Sequence, residues 1–174
     1  MNLLSTFAFV AVMLAAGIMD LRTRRIPNWL TFGGLGAALL LKGLAGTSPL
    51  LDGLGGAGLG FLTGLLLFAL RALGGGDGKL LITTGAFFGL KPFVGALLAI
   101  GILGGLLGII EAIRRGVILP SLYNAGAMIK RGVTLGRAGG EARTLESPGA
   151  VKVPYGVAIA AGAILWWFYG VPVV

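Results

Sequence analysis

The chain contains no cysteine and no histidine. Disulfide frameworks, thiolate nucleophiles, zinc fingers and histidine acid–base catalysis are thereby excluded. Any hydrolytic chemistry must rest on carboxylates, hydroxyls, lysine or tyrosine. Carboxylates are scarce as well, the six being Asp20, Asp52, Asp77, Glu111, Glu141 and Glu146. A carboxylate-bound metal would have to draw on these few, and no metal or other cofactor is expected. Charged residues make up only 11% of the 174 residues, while 56% are hydrophobic. A soluble domain carries about 25% charged residues, so the long apolar stretches belong in lipid.

Glycine, at 33 residues, is abundant. These glycines lie inside apolar runs, which suits close helix packing in a membrane rather than disorder. Gly56, Gly60 and Gly64 recur four apart on one helix face, and Gly101, Gly105 and Gly108 form a similar stripe. The net charge of +8 does not imply nucleic acid, because the basic residues cluster at the ends of apolar segments, the pattern of membrane orientation. No repeat and no separate soluble domain is visible, so residues 1–174 read as one membrane-embedded domain.

Six apolar runs are expected to form helices: residues 3–19, 29–44, 54–73, 80–90, 93–113 and 153–171. The first run lacks the preceding basic residues of a signal peptide. Arg22, Arg24 and Arg25 follow it instead, which places Asp20 inside and the N-terminus outside. Pro27 suits a helix start. Gly46, Thr47, Ser48 and Pro49 are expected to break the chain on the outer side. Run 80–90 is too short to span a hydrocarbon core of about 30 Å at about 1.5 Å per residue. Either one long tilted helix runs over 80–113, or a short helix starts deep in the membrane and turns back near Lys91-Pro92. The cationic segment 114–152 should be cytoplasmic, which favours the short helix as a separate crossing. Residues 121–136 leave open a helix lying on the inner surface, held by anionic lipid, or a plain loop. Trp166, Trp167 and Tyr169 suggest an aromatic belt at the outer interface, where only Lys42 and Lys91 carry positive charge. The expected fold is all-α: a polytopic integral membrane protein with about six transmembrane helices and both termini outside.

Asp20 and Asp77 sit where a carboxylate is costly and usually functional, at inner helix ends. Two carboxylates sharing a proton can activate water: the ionised one takes a proton from it while the protonated one polarises a carbonyl. Neighbouring like charges push their titrations apart, so the pair stays half-protonated over a useful range. Around Asp77, Gly74, Gly75, Gly76 and Gly78 leave room for an extended substrate backbone and permit the dihedrals of a tight turn. Structural alternatives exist. Asp77 would suit the N-cap of a helix beginning at Lys79, and Asp20 could pair with Arg22 or Arg24. A phosphate cradle lacks the P-loop spacing.

The stretch Asp20-Leu21-Arg22-Thr23-Arg24-Arg25-Ile26-Pro27-Asn28, followed by Gly74-Gly75-Gly76-Asp77-Gly78-Lys79, resembles the prepilin peptidases, the GxGD class of intramembrane aspartyl proteases. Val153-Pro154-Tyr155-Gly156-Val157-Ala158-Ile159-Ala160 is similar to the last-helix motif of the short members that serve Tad/Flp pili. The resemblance covers nearly the whole chain. It implies that Asp20 and Asp77 are the catalytic pair. Pro154 and Tyr155 would either shape the substrate groove or start a helix and anchor it at the interface. The resemblance also implies pilin-like precursors as partners, cut after a short basic leader at the cytoplasmic face of a bacterial or archaeal inner membrane. The larger relatives carry a cysteine-rich insert between the first two helices. Only Leu21 to Asn28 stands there in this chain, which argues against N-methylation. Gly78 follows the aspartate where an apolar residue is common, and a looser turn is expected.

Among the remaining residues, Asn28 would cap the second helix or orient the Asp20 loop. Lys79 would tune the carboxylates or, more in keeping with its length, snorkel to headgroups. Glu111 is the best rival carboxylate, and Asp52 lies on the wrong side. The competing functions are a non-enzymatic subunit of a secretion or pilus assembly machine and a small proton-coupled transporter.

Overall fold

The structure, a computed structural model, describes residues 3–70, 72–114, 116, 126 and 154–170. Of the loop 114–152 it describes only Arg114, Gly116 and Gly126, so the surface helix or loop expected over 121–136 lies outside the described residues. Six helices form the described part: α1 Leu3–Thr23, α2 Asn28–Ala45, α3 Thr47–Ala69, α4 Gly75–Phe88, α5 Leu90–Arg114 and α6 Tyr155–Tyr169. Helices α1, α3 and α5 are long and apolar enough to cross a membrane. Phe7, Leu14, Leu62, Leu65, Leu98 and Ile102 point outward and are exposed. Apolar exposure on this scale is foreign to a soluble monomer, and the protein is an all-helical, polytopic membrane protein.

Helix α4 is the centre of the bundle. Its 14 residues reach roughly 21 Å, less than the hydrocarbon thickness. It is buried from Leu80 through Phe88 except at Ile82, and it touches all five other helices. A helix wrapped on every side by protein need not match the bilayer thickness itself. Gly89, with φ +87°, separates α4 from α5, so the single long helix over 80–113 is excluded. Leu90, Lys91 and Pro92 form the first turn of α5, where proline is tolerated because its missing N–H has no helical partner to lose.

The break is pinned by Asp52. Its Oδ1 accepts the Leu90 N–H at 3.0 Å, and its Oδ2 accepts from Lys42 Nζ at 3.1 Å. Asp52 thus joins α2 and α3 to the start of α5. Asp52→Ala removes both contacts, and a loss of about 1 kcal/mol is expected, the usual cost of deleting a cap. Thermal unfolding in detergent would read this as a fall of a few degrees. The break between α2 and α3 is narrower than the sequence suggested. Only Gly46 (φ +129°) is non-helical, while Thr47, Ser48 and Pro49 begin α3. Proline at a helix start is again cheap.

Helices α3 and α4 share the tightest interface. A Cβ on Gly56 would land on the Gly85 carbonyl oxygen. One on Gly60 would lie 2.5 Å from the Leu81 carbonyl oxygen, and one on Gly64 would lie 3.1 Å from Gly78 Cα. The first expected glycine stripe is therefore a packing seam. The second is not: Gly101, Gly105 and Gly108 meet nothing within 4 Å. The buried face of α5 carries Phe93, Ala96, Ile100 and Gly104 instead, which turns Gly101 and Gly105 outward.

The aromatic belt is corrected too. Trp167 is 4% exposed and stacks on Phe9 with centroids 4.2 Å apart. Its Nε1 donates to Thr6 Oγ1 at 3.4 Å. Trp166 packs on Gly95 and Gly170. Of the three, only Tyr169 is exposed. Phe87 and Phe88 meet Phe9 edge-on, so this end of the bundle is closed by an aromatic core, and the tryptophans serve packing before interface anchoring.

Candidate active site

At the opposite end, a short connection joins α1 to α2. Helix α1 runs past Asp20 to Thr23, so Asp20 lies within its last turn. The Arg24 N–H donates to the Asp20 carbonyl at 2.9 Å, and Arg24 adopts φ +51°. That left-handed conformation is uncommon outside glycine. The Thr23 hydroxyl spans the turn, bonding the carbonyls of Met19 at 2.9 Å and Arg25 at 3.1 Å. The turn delivers Ile26 inward, where it is 7% exposed. Ile26 wedges between two helix N-termini. Its Cβ lies 3.4 Å from a Cβ built on Gly76, and its Cδ1 lies 2.8 Å from one built on Gly156.

Asp20 is 6% exposed. The backbone N–H groups of Gly156 and Val157, in the first turn of α6, face its carboxylate, an arrangement the free amides and dipole of a helix start favour. Its Oδ2 has no hydrogen-bond partner among the described residues. A Cβ on Gly156 would lie 2.8 Å from that oxygen, so only glycine fits here. Arg24 stands within electrostatic range.

Asp77 is half-buried in the first turn of α4. Gly74, not Asp77, is the N-cap, and no side chain caps the helix. The helix begins at Gly75, four residues before Lys79, which removes the reading of Asp77 as a cap. The expected tight turn is likewise absent: Gly75, Gly76 and Gly78 are helical, and none of Gly74 to Gly78 has a left-handed φ. Small size is used for approach instead. Gly76 accommodates Ile26, and Gly78, far from loosening a turn, is buried against Gly64. Gly75 remains exposed.

The bundle brings Asp20 and Asp77 to the same end and within electrostatic range of each other. Tyr155 is in electrostatic range of Asp77, and its ring packs 3.8 Å from a Cβ built on Gly104. Pro154 is the N-cap residue of α6 and lines a cavity of about 420 Å³ with Leu21, Arg24, Glu111 and Arg114. Glu111 stands 4.0 Å from Arg114 in that cavity. Asp52 is at the other end of the bundle, on Lys42 and Leu90. Among the described residues no three acidic side chains converge as metal ligands would.

Lys79 makes its contact at the exposed end of α2. Its Nζ donates to Asn28 Oδ1 at 2.7 Å and lies 5.6 Å from the centroid of the Phe32 ring. Asn28 therefore does not cap α2, whose N-cap is Pro27. Sequence reasoning gave no role to Ile26 and Gly156, although both stand in the motifs quoted for the resemblance. The signal was their adjacency to Pro27 and Tyr155, at helix starts where a small or wedge-shaped residue sets the approach of neighbouring chains.

Neither a curated protein nor a solved structure matches the chain. Residues 7–109, more than half of its length and including both aspartates, match the type IV leader peptidase family, Peptidase_A24. This helical membrane protein belongs to the type IV leader peptidase family.

Proposed function

We propose that this peptidase is an intramembrane aspartyl endopeptidase that removes the short basic leader from type IV pilin-like precursors. One observation carries the reading. A buried carboxylate with an unpartnered oxygen, Asp20, stands within electrostatic range of a second, Asp77, at one end of the bundle. In the proposed reaction one carboxylate is ionised and takes a proton from the attacking water. The other is protonated and hydrogen-bonds the scissile carbonyl. Water oxygen adds to the carbonyl carbon, giving a tetrahedral intermediate. Its collapse breaks the C–N bond as a carboxyl proton passes to the leaving amine, leaving a carboxylic acid and a new N-terminus. Pro154 and Tyr155, with Gly74 and Gly75, form the substrate-facing rim, and Gly76 and Gly78 stand behind it. These two glycines act by letting Ile26 and α3 hold Asp77 close.

Charge supports a cytoplasmic site. Arg22, Arg24, Arg25 and Arg114 gather at the aspartate end, while Lys42 and Lys91 stand at the other, the asymmetry of a multi-pass protein in a bacterial or archaeal inner membrane with the site inside. Anionic lipid would meet those cations.

Mass measurement of a co-expressed pilin-like precursor tests the function. With the wild-type chain the mature N-terminus is expected, without a methyl group. Asp52→Asn, remote from the site, should process as wild type. An uncut precursor beside abundant wild-type protein would count against the peptidase assignment to this substrate class. Assembly defects with normal processing in aspartate variants would favour a scaffold, and lost ion flux without precursor accumulation a transporter.

A further inference from the structure

The aspartate-bearing segments are joined by more than packing. Asn28 opens α2 at the end of the turn that begins at Asp20, and Lys79 lies two residues beyond Asp77 on α4. Their side chains meet at 2.7 Å across 51 residues of sequence. A second polar rung follows one turn along: Thr83 Oγ1 donates to the Thr31 carbonyl at 2.8 Å. One turn further, Thr83 Cγ2 lies 2.9 Å from a Cβ built on Gly34. Residues 28, 31 and 34 on α2 thus face 79 and 83 on α4, the spacing of one stripe on each helix. Lys79 is the only charged member of this ladder and the one nearest Asp77.

We propose that the Asn28–Lys79 bond is a positioning latch that sets the rotation of the first α4 turn, and so the direction of the Asp77 carboxylate, relative to Asp20. The role rests on the aspartyl-pair reading above. The physical argument is one of free motion. The α4 N-terminus has no side-chain cap and carries three glycines, Gly75, Gly76 and Gly78, within its first four residues. Glycine has the largest conformational freedom to lose, so this turn holds its geometry only through contacts made from outside. Ile26 supplies one, against Gly76. Lys79 supplies another, with its ammonium fixed between the Asn28 oxygen and the Phe32 ring. A hydrogen bond with an ionised partner is stronger and more directional than a neutral one. Both contacts originate in the segment that leaves Asp20, so the two carboxylates are referenced to one piece of backbone.

The test is steady-state cleavage of a purified precursor by the full chain in lipid nanodiscs. Lys79→Met keeps the stem over Phe32 but cannot donate, and Asn28→Ala removes the acceptor. Each is expected to lower kcat roughly ten- to hundredfold, as a misplacement of about 1 Å would, with KM within about twofold and the unfolding temperature nearly unchanged. The double variant should lose no more than either single one, because both remove the same bond. Lys79→Arg and Asn28→Asp, which restore a donor and an acceptor, should recover most of the rate. Losses that multiply in the double variant, a raised KM at unchanged kcat, or wild-type rates in both single variants would overturn the latch. Asp77→Asn in the same assay separates the two readings. If it is inactive while Lys79→Met and Asn28→Ala are fully active, the latch alone fails. If it cleaves normally, the aspartyl pair fails first.

Discussion

Asp77→Asn is expected to cut precursor cleavage by roughly 10²–10⁴-fold, the range supplied by one positioned acid or base. Asp20→Asn should do the same. Asparagine keeps the shape and hydrogen-bonding reach of the side chain but can neither accept the proton of water nor donate a carboxyl proton. The isosteric choice matters at Asp20, which is buried against Gly156, because alanine would add a cavity to the chemical loss. The double variant should be scarcely worse than either single one. Groups that act as a unit give non-additive losses, since the mechanism is already gone when one is removed. Protein abundance and unfolding temperature should stay close to wild type. The measurement is single-turnover cleavage followed by the mass of the new N-terminus. Wild-type turnover in either variant would remove that carboxylate from the chemistry.

Gly56→Ala should strongly destabilise the bundle. The new Cβ would occupy the position of the Gly85 carbonyl oxygen, a backbone atom of the central helix. A flexible side chain could swing away, but a carbonyl inside α4 moves only with its helix. Overpacking costs about 1–3 kcal/mol and sometimes more, and here relief requires α3 and α4 to separate. The separation would be felt eight residues along, where Gly64 abuts Gly78 beside Asp77. A lower unfolding temperature in detergent and reduced cleavage are both expected. Gly58→Ala is the control. Gly58 lies on the same helix, is exposed and meets nothing within 4 Å. That substitution should be neutral, or stabilising by up to about 1 kcal/mol through helix propensity. Equal stability of the two variants would show that the seam yields more readily than its backbone contacts imply.

The helices themselves were legible in the sequence. Apolar runs long enough for a bilayer give α1, α3 and α5 directly, because hydrophobic length is read from the residue string without knowing any neighbour. The Gly56–Gly60–Gly64 seam was legible for the same reason, as a four-residue period on one face. The second stripe was misread because periodicity identifies a face but not what it faces. Gly101 and Gly105 point away from the bundle, while Gly95 and Gly104 receive Trp166 and Tyr155. The tryptophans were misread alike. Composition at a helix end suggested an interface, but Phe9 and Phe88 converge from distant helices to bury Trp167.

At the candidate site, residue types and the placing of both aspartates at one end of the bundle were readable, since scarce carboxylates next to basic clusters and apolar runs leave little choice. Distance was not. The glycines of residues 74–78 looked like a turn because glycine is a poor helix former. Tertiary packing of Ile26 and Gly64 overrides that preference and makes them the first turn of a helix.

By itself, the order of residues determined a helical membrane protein without thiol or imidazole chemistry, because hydropathy and the absence of cysteine and histidine are properties of each residue alone. Only the folded bundle decided that Asp20 meets the start of α6, that Lys79 turns to Asn28, and that a helix too short to span can stand at the centre. Those outcomes depend on which surfaces fit together across long stretches of chain, and complementarity between distant surfaces is a property of pairs.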